Sequence, residues 1–309
     1  MTRLFHTVIR LSMNFPIRYN DSFGNFLSLL LLCLMWVSAA QAQDATPPST
    51  STPANLESVK KPLWEAGLLG LGLAHPVYPG ADDQAQRGLV LPYMVYRGKY
   101  LRTDRGSVGV RAINTERAEV DVGFAASLGS RSSNNAARQG MDNLGTLIEF
   151  GPRLKINIGH DQAGLDHSRL QFPVRAVFDV SDSFTRRGTA FEPQWVVERD
   201  MSSYWSLSTS LGAVLGDKKL ADTFYGVAPS EATPTRPRFT AKSGLIAWRA
   251  GLHNAHKLTP DVRLFYFLRL ESLAGAANRD SPLVQRDTNW TTGIGLAWRL
   301  GLSQRSASD

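Results

Sequence analysis

The sequence predicts an all-β chain, a transmembrane antiparallel β-barrel of about 12 strands, carried behind an export signal. Three observations predict it. Apolar and polar residues alternate with period two through most of the chain after residue 63. Several alternating segments run ten to thirteen residues, against about five or six for an ordinary strand and about nine to eleven for a tilted spanning one. The exported part also has to hold together without a disulfide, which closure of a sheet on itself achieves by leaving no edge to protect.

The N-terminus sets the compartment. Arg3, Arg10 and Arg18 precede the apolar run Phe26–Val37, and Ala40-Gln41-Ala42 follows with small residues spaced for cleavage. This is the pattern of a secretory signal peptide over 1–42, cut between Ala42 and Gln43. The run is about a dozen residues, too short for a spanning helix of about twenty. The basic region is long, so Met13 is a second candidate start. Cys33 lies inside the apolar run, after Leu32 rather than a small residue, which argues against a lipid anchor. It leaves with the signal, so the mature chain has no thiol chemistry and no cysteine metal ligand.

Residues 43–62 are rich in Pro, Ser and Thr and nearly free of large apolar side chains. They are expected to form a disordered exported leader. The barrel is expected over 63–301, with a polar tail at 302–309. The formal charge of +7 comes from scattered residues with no Lys/Arg block, so nucleic acid is not expected as a partner.

Strands are predicted at 63–74, 88–96, 98–103, 107–114, 117–128, 144–158, 168–180, 191–199, 203–215, 241–254, 261–272 and 289–301. The last shows the pattern best. Trp290, Thr292, Ile294, Leu296, Trp298 and Leu300 fall on one face, and Asn289, Thr291, Gly293, Gly295, Ala297 and Arg299 on the other. Pro92 interrupts the second strand. It has no N–H for a ladder, and a closed barrel has no free edge, so a local bulge is expected there. Trp64, Tyr204, Trp205, Trp290 and Trp298 sit at strand ends, as interfacial girdles require. Short turns near 104–107 and 114–117 contrast with long polar connections at 129–143, 216–240 and 273–288, the habit of outer-membrane barrels. No amphipathic helix of useful length is expected.

The polar faces would carry Glu119, Asp121, Glu149, Arg153, Lys155, Arg175, Asp179, Arg263, Arg269, Glu271 and Arg299 into the lumen. Interspersed signs favour mutual pairing that fills a narrow barrel over the lining of a solute pore. Catalytic chemistry finds little support. His167 and Ser168 are adjacent, so on a strand they point to opposite faces. His160-Asp161 reads as a turn. His253 and His256 lack a third metal ligand. Asp82-Asp83 lacks the oxygen ligands of a calcium loop. No cofactor is expected, and a lipid hydrolase is the minor alternative.

One stretch carries a family likeness. "YPGADD" at Tyr78–Asp83, Pro92 in the next strand and "YRG" at Tyr96–Gly98 resemble the MipA/OmpV family of outer-membrane proteins (MltA-interacting protein). So do "DTFYGVAPSEATP" at Asp222–Pro234 and "SPLVQRD" at Ser281–Asp287. The resemblance spans about residues 63–300. It implies an outer-membrane barrel in contact with lipid, and a scaffold role between a lytic transglycosylase and a bifunctional murein synthase. It offers no catalytic residues. A narrow porin-like channel is the alternative function. Tyr78, Asp82 and Asp83 are the candidate interaction turn. The chain departs from a usual barrel ending, because "GLSQRSASD" follows Leu300.

Overall fold

The structure, a computed structural model, describes residues 62–97, 101–104, 107–110, 113–115, 117–160 and 166–307. The expected signal peptide, its cleavage point at Ala42 and Gln43, and the leader up to Lys61 lie outside the described residues.

The strands are β1 (Trp64–Pro76), β2 (Gln84–Tyr96), β3 (Leu101–Asp104), β4 (Ser107–Val110), β5 (Ile113–Asn114), β6 (Ala118–Ser127) and β7 (Leu147–His160). They continue with β8 (Asp166–Asp179), β9 (Thr185–Phe191), β10 (Gln194–Ser202), β11 (Trp205–Gly216), β12 (Gly244–Lys257), β13 (Val262–Ser272) and β14 (Thr288–Leu302). One helix, α1 (Lys218–Tyr225), stands between β11 and β12. All pairings are antiparallel. The main sheet runs β2-β1-β14-β13-β12-β11-β10-β8-β7-β6-β5, with β9 paired to β8 and β11 and with β3–β4 as a separate pair. The first and last long strands are therefore neighbours, in register from Glu65–Leu302 to Ala74–Thr292. That adjacency is what an up-and-down barrel requires of its chain ends.

The two faces divide as a membrane barrel demands. On β14 exposure alternates residue by residue: Trp290, Ile294, Leu296, Trp298 and Leu300 are exposed, and Asn289, Thr291, Gly293 and Gly295 are buried. Phe124, Phe150, Leu154, Ile158, Leu211, Trp248, Leu252 and Leu268 extend the exposed apolar belt around the sheet. A water-soluble protein would hide such a surface. Trp248 and Trp290 lie toward one rim and Trp205 and Trp298 toward the other. Trp205, His256 and Tyr266 stack in a row at centroid spacings of 5.6 and 5.9 Å.

The rims differ in kind. Residues 77–83, 128–146, 180–184, 217–243 and 273–287 connect strands at one rim, the long-loop end. Turns 203–204 and 258–261 lie at the other, with both ends of the described chain. There Ser303 N–H donates to Trp64 O at 2.8 Å and Leu63 N–H to Arg305 O at 2.8 Å, and Pro62 bridges Ser306.

Several expectations are corrected. The last strand runs to Leu302, one residue past the expected barrel end, and the chain after it bonds back to residues 62–64 as far as Ser306. The predicted segment 191–199 covers β10 but misses β9, where Arg186, Arg187 and Gly188 break the alternation. The connection 216–240 contains α1, capped by Asp217, whose side chain accepts from Leu220 N–H at 2.9 Å. Of predicted segments 98–103 and 107–114, the described residues form the short β3, β4 and β5.

Pro92 makes no bulge. It pairs with Leu68 in an unbroken register from Trp64–Tyr96 to Pro76–Gln84. Arg97 N–H donates to Leu63 O at 2.7 Å, so odd-numbered residues of β2 aim their N–H groups at β1. The missing N–H of Pro92 falls on the other edge, which has no ladder partner among the described residues. A proline costs nothing there.

Candidate functional site

The opening turn, Tyr78–Asp83, is built into a packed layer over the long-loop end. Tyr78, Pro79, Gly80 and Ala81 form a turn closed by Ala81 N–H to Tyr78 O at 3.1 Å. Gly80 has φ 93°, the left-handed value that the third position of a type II turn needs. A side chain there would also press on Leu273 Cδ2 at 2.9 Å. The turn is bolted to the β13–β14 loop. Gly80 N–H donates to Asn289 Oδ1 at 2.5 Å, and Asn289 Nδ2 donates to Ala81 O at 2.7 Å. Gln285 N–H donates to Gly80 O at 2.7 Å. Tyr78 Oη donates to Leu283 O at 2.8 Å.

Three of the stretches that carry the family likeness, Tyr78–Asp83, Asp222–Pro234 and Ser281–Asp287, meet here. Tyr78, Ala81, Val227, Leu283, Met141 and Leu144 form one buried apolar cluster. Tyr225 joins Leu220, Ala221, Val177, Val214, Ile246 and Leu273 in a second, which seats α1 on the strand ends. Ser281 Oγ donates to Tyr225 O at 2.8 Å. Two buried arginines clamp the layer through backbone carbonyls. Arg138 lies over the Tyr78 ring at 5.8 Å and donates to Phe224 O at 3.3 Å. Arg236 donates to Ala137 O and Gln139 O, each at 2.9 Å, and to Glu231 O at 2.7 Å. Burial pushes the Tyr78 hydroxyl up to about 12 and raises that of Tyr225 as well.

This placement alters the candidate interaction turn. Tyr78 is 2% exposed, so its side chain is not a docking surface; it is part of the layer's core. Asp82 and Asp83 stay nearer the surface. Asp82 pairs with Arg286, and Asp83 accepts from Ala136 N–H at 3.3 Å. No cluster of three or more potential metal ligands occurs among the described residues.

Below the layer, the shielded face of the strands carries ion pairs. On β6 and β7, Arg153 grips Asp121 with Nε at 2.9 Å and Nη2 at 2.5 Å, and Lys155 bridges Asp121 at 2.8 Å and Glu119 at 3.3 Å. Further round, Arg175 holds Glu149 at 2.9 Å and also Glu192; Arg249 holds Glu192 and, at 2.6 Å, Glu271. Arg269 Nε stands 3.6 Å from Glu271. Asp179 takes Arg187 at 2.8 Å, Arg299 takes Asp261 at 2.8 Å, and Arg263 is exposed at the short-turn rim. Glu192 and Arg249 sit at the centre of this chain of charges, and neither was singled out from sequence. Glu192 lies in the short connection after β9. Its signal was legible only as a lone acid in "FEPQ".

The hydrolase candidates do not assemble. Trp195 Nε1 donates to Ser168 Oγ at 2.7 Å, while His167 is on the opposite face of β8. His256 stacks between Trp205 and Tyr266 on the outer face, and His253 stacks on Phe265 at 6.1 Å on the inner one. The side chain of His160 is outside the described residues.

Comparison with solved structures finds a NanC porin at 12% identity, covering 75% of this chain and 100% of that one, with a TM-score of 0.38. A bacterial polysaccharide outer membrane secretin aligns at 9% identity over 77% and 99%, also at 0.38. Outer membrane phospholipase A from Escherichia coli aligns at 11% over 80% and 94%, at 0.34. Comparison with curated proteins finds no match. A family model, MltA-interacting protein MipA, matches residues 69–300. That match spans β1 to β14 and all three stretches that meet in the loop layer, and on it the chain belongs to the MipA family of outer-membrane barrel proteins.

Proposed function

We propose that this protein is a closed outer-membrane barrel that serves as an interaction scaffold for murein enzymes, a synthase and a lytic transglycosylase, and does not conduct solutes. The observation that carries the reading is the packed loop layer at one rim, with its two buried apolar clusters. A pore for solutes would keep that rim open to water. The paired charges below it support the same reading, because a face of matched ions fills a lumen where an unmatched ring would attract and pass ions.

Outer-membrane barrels place short turns and chain ends in the periplasm. On that orientation the scaffold works from the opposite end to Tyr78–Asp83. Its periplasmic surface is the rim with Tyr204, Leu258 and Asp261, where the described chain begins at Pro62.

The test joins two measurements on the full mature chain. Planar-bilayer recordings should show no steady single-channel current. Affinity capture from detergent extracts, with the protein tagged at its C-terminus, should recover a lytic transglycosylase or a murein synthase. Replacing Tyr204 and Leu258 with glutamate should reduce that recovery. Steady currents without capture would replace the scaffold reading with the narrow-channel one.

A further inference from the structure

Not all of the inner face is charged. The strand registers stack three rows across β13, β14, β1 and β2, apolar but for an arginine at one end of the first and of the third. Phe267, Gly293, Leu73 and Arg87 stand side by side in one, Phe265, Gly295, Leu71 and Leu89 in the next, and Arg263, Ala297, Leu69 and Leu91 in the third. Any Cβ at Gly293 or Gly295 would collide with the rings of Phe267 and Phe265. The rings therefore lie flat over the glycines and smooth the wall. Leu69, Leu71, Leu73, Leu89 and Leu91 are half-buried: the fold covers them only in part. At about 3.4 Å per residue, Leu69 to Leu73 span about 14 Å.

Two arginines and the His75 imidazole crown this apolar band at the long-loop end. Arg269 pairs with Thr291, His75 follows the last β1–β14 pair, Ala74–Thr292, and Arg87 is in the Leu73 row. Arg87 is exposed and bonds only the carbonyl of Gln86; no carboxylate pairs with it among the described residues. His75 is 9% exposed. Its Nδ1 lies 2.8 Å from Pro76 O, while its Nε2 is buried without a hydrogen-bond partner, as is Arg269 Nε, which stands 3.6 Å from Glu271. Leucines facing a polar lumen and an arginine with no carboxylate partner among the described residues are each unfavourable alone. One ligand class satisfies both.

We propose that this wall binds a single-chain anionic amphiphile, a long-chain carboxylate, with its head on Arg87, His75 and Arg269 and its chain along Leu73, Leu71, Leu89, Leu69 and Leu91. Arginine matches a carboxylate with paired N–H groups. A second acyl chain would lie against the opposite wall, where Glu149, Arg175, Glu192, Arg249 and Glu271 are already paired, so one chain fits and two do not.

The experiment uses the full mature chain in nanodiscs, with radiolabelled dodecanoate added to saturation. Saturable binding is expected near one per chain. Arg87→Ala should weaken it about tenfold, as loss of one charge-assisted contact does. Leu71→Asn should weaken it as well, and dodecyltrimethylammonium should fail to compete. Gel mobility before and after heating checks that each variant still forms the barrel. Arg87 is exposed, so its variant is expected to fold even where Leu71→Asn does not. The proposal is overturned by absent saturable binding, by equal competition from the cationic analogue, by binding unchanged in folded Arg87→Ala, or by a diacyl phospholipid recovered in the site.

Discussion

The inner face solves one problem, how to line a barrel, in two ways. From β6 round to the Glu271 end of β13, acids and bases hold each other across strands, and Arg175, Glu192, Arg249 and Glu271 form a continuous chain. From β13 through β14 and β1 to β2, the same face carries phenylalanine over glycine, then leucine, with Arg87 unpaired among the described residues. Alternation decides only which residues point inward. What fills the space depends on which inward residues the register sets side by side. Glu192 and Arg249 are 57 positions apart in sequence and meet only because β9, β11 and β12 converge. One wall is thus held by partners whose loss leaves a buried charge, and the other by packing that tolerates the loss of a cation.

The largest test of that contrast is Arg249→Ala. It leaves Glu192 and Glu271, 7% and 3% exposed, short of their shared cation. Breaking a buried pair from one side costs about 3–5 kcal/mol, so urea unfolding in vesicles should shift by that order. Arg87→Ala on the other wall should move the same transition by less than about 1 kcal/mol, since an exposed, unpaired arginine holds little. Equal losses would erase the distinction between the walls.

A middle-sized effect tests the packed wall directly. Gly295→Val puts a side chain into the Phe265 ring and should cost about 1–3 kcal/mol, as overpacking does. Phe265→Ala in the same chain should recover part of that loss, a coupling that a double-mutant cycle reads. Additive losses would mean the ring is not held over the glycine.

The smallest effect lies in the loop layer. Tyr78→Phe removes the hydrogen bond to Leu283 O and should cost about 1 kcal/mol, seen as faster hydrogen exchange in 77–83 and 281–285. The wild-type Tyr78 hydroxyl is raised from 10.0 to about 12 by burial. The folded state therefore keeps its proton where the unfolded state has lost it. This contribution is whole below pH 10 and is lost as pH rises from 10 through about 12. Tyr78→Phe should flatten that part of the stability curve, and an unchanged curve would show that the layer opens before the tyrosine ionises.

Much of the strand wall was legible in the sequence, for a plain reason: a membrane-spanning strand must face lipid on every second residue, so its pattern cannot be disguised. β14, β12, β11 and β7 show this well. β9 was hidden because Arg186, Arg187 and Gly188 near the rim answer to loop contacts and not to lipid. Helix α1 was hidden because eight residues are too few to show a helical period, and its stability comes from the Asp217 cap and from packing on Ile246. Pro92 was read as a bulge because closure was assumed at every edge. The register instead turns its missing donor to an edge that bonds nothing among the described residues.

The sequence by itself determined the all-β class, the approximate strand positions, the outward apolar belt and the family, because each of these is written in local period or in short contiguous stretches. Only the tertiary structure decided that Tyr78, Tyr225, Val227 and Leu283 come together in a packed layer at the long-loop rim. It alone decided that Glu192 and Arg249 anchor the charged wall, and that five leucines line the wall opposite. These depend on cross-strand register and loop docking, in which partners lie tens to hundreds of positions apart and no local pattern records the match.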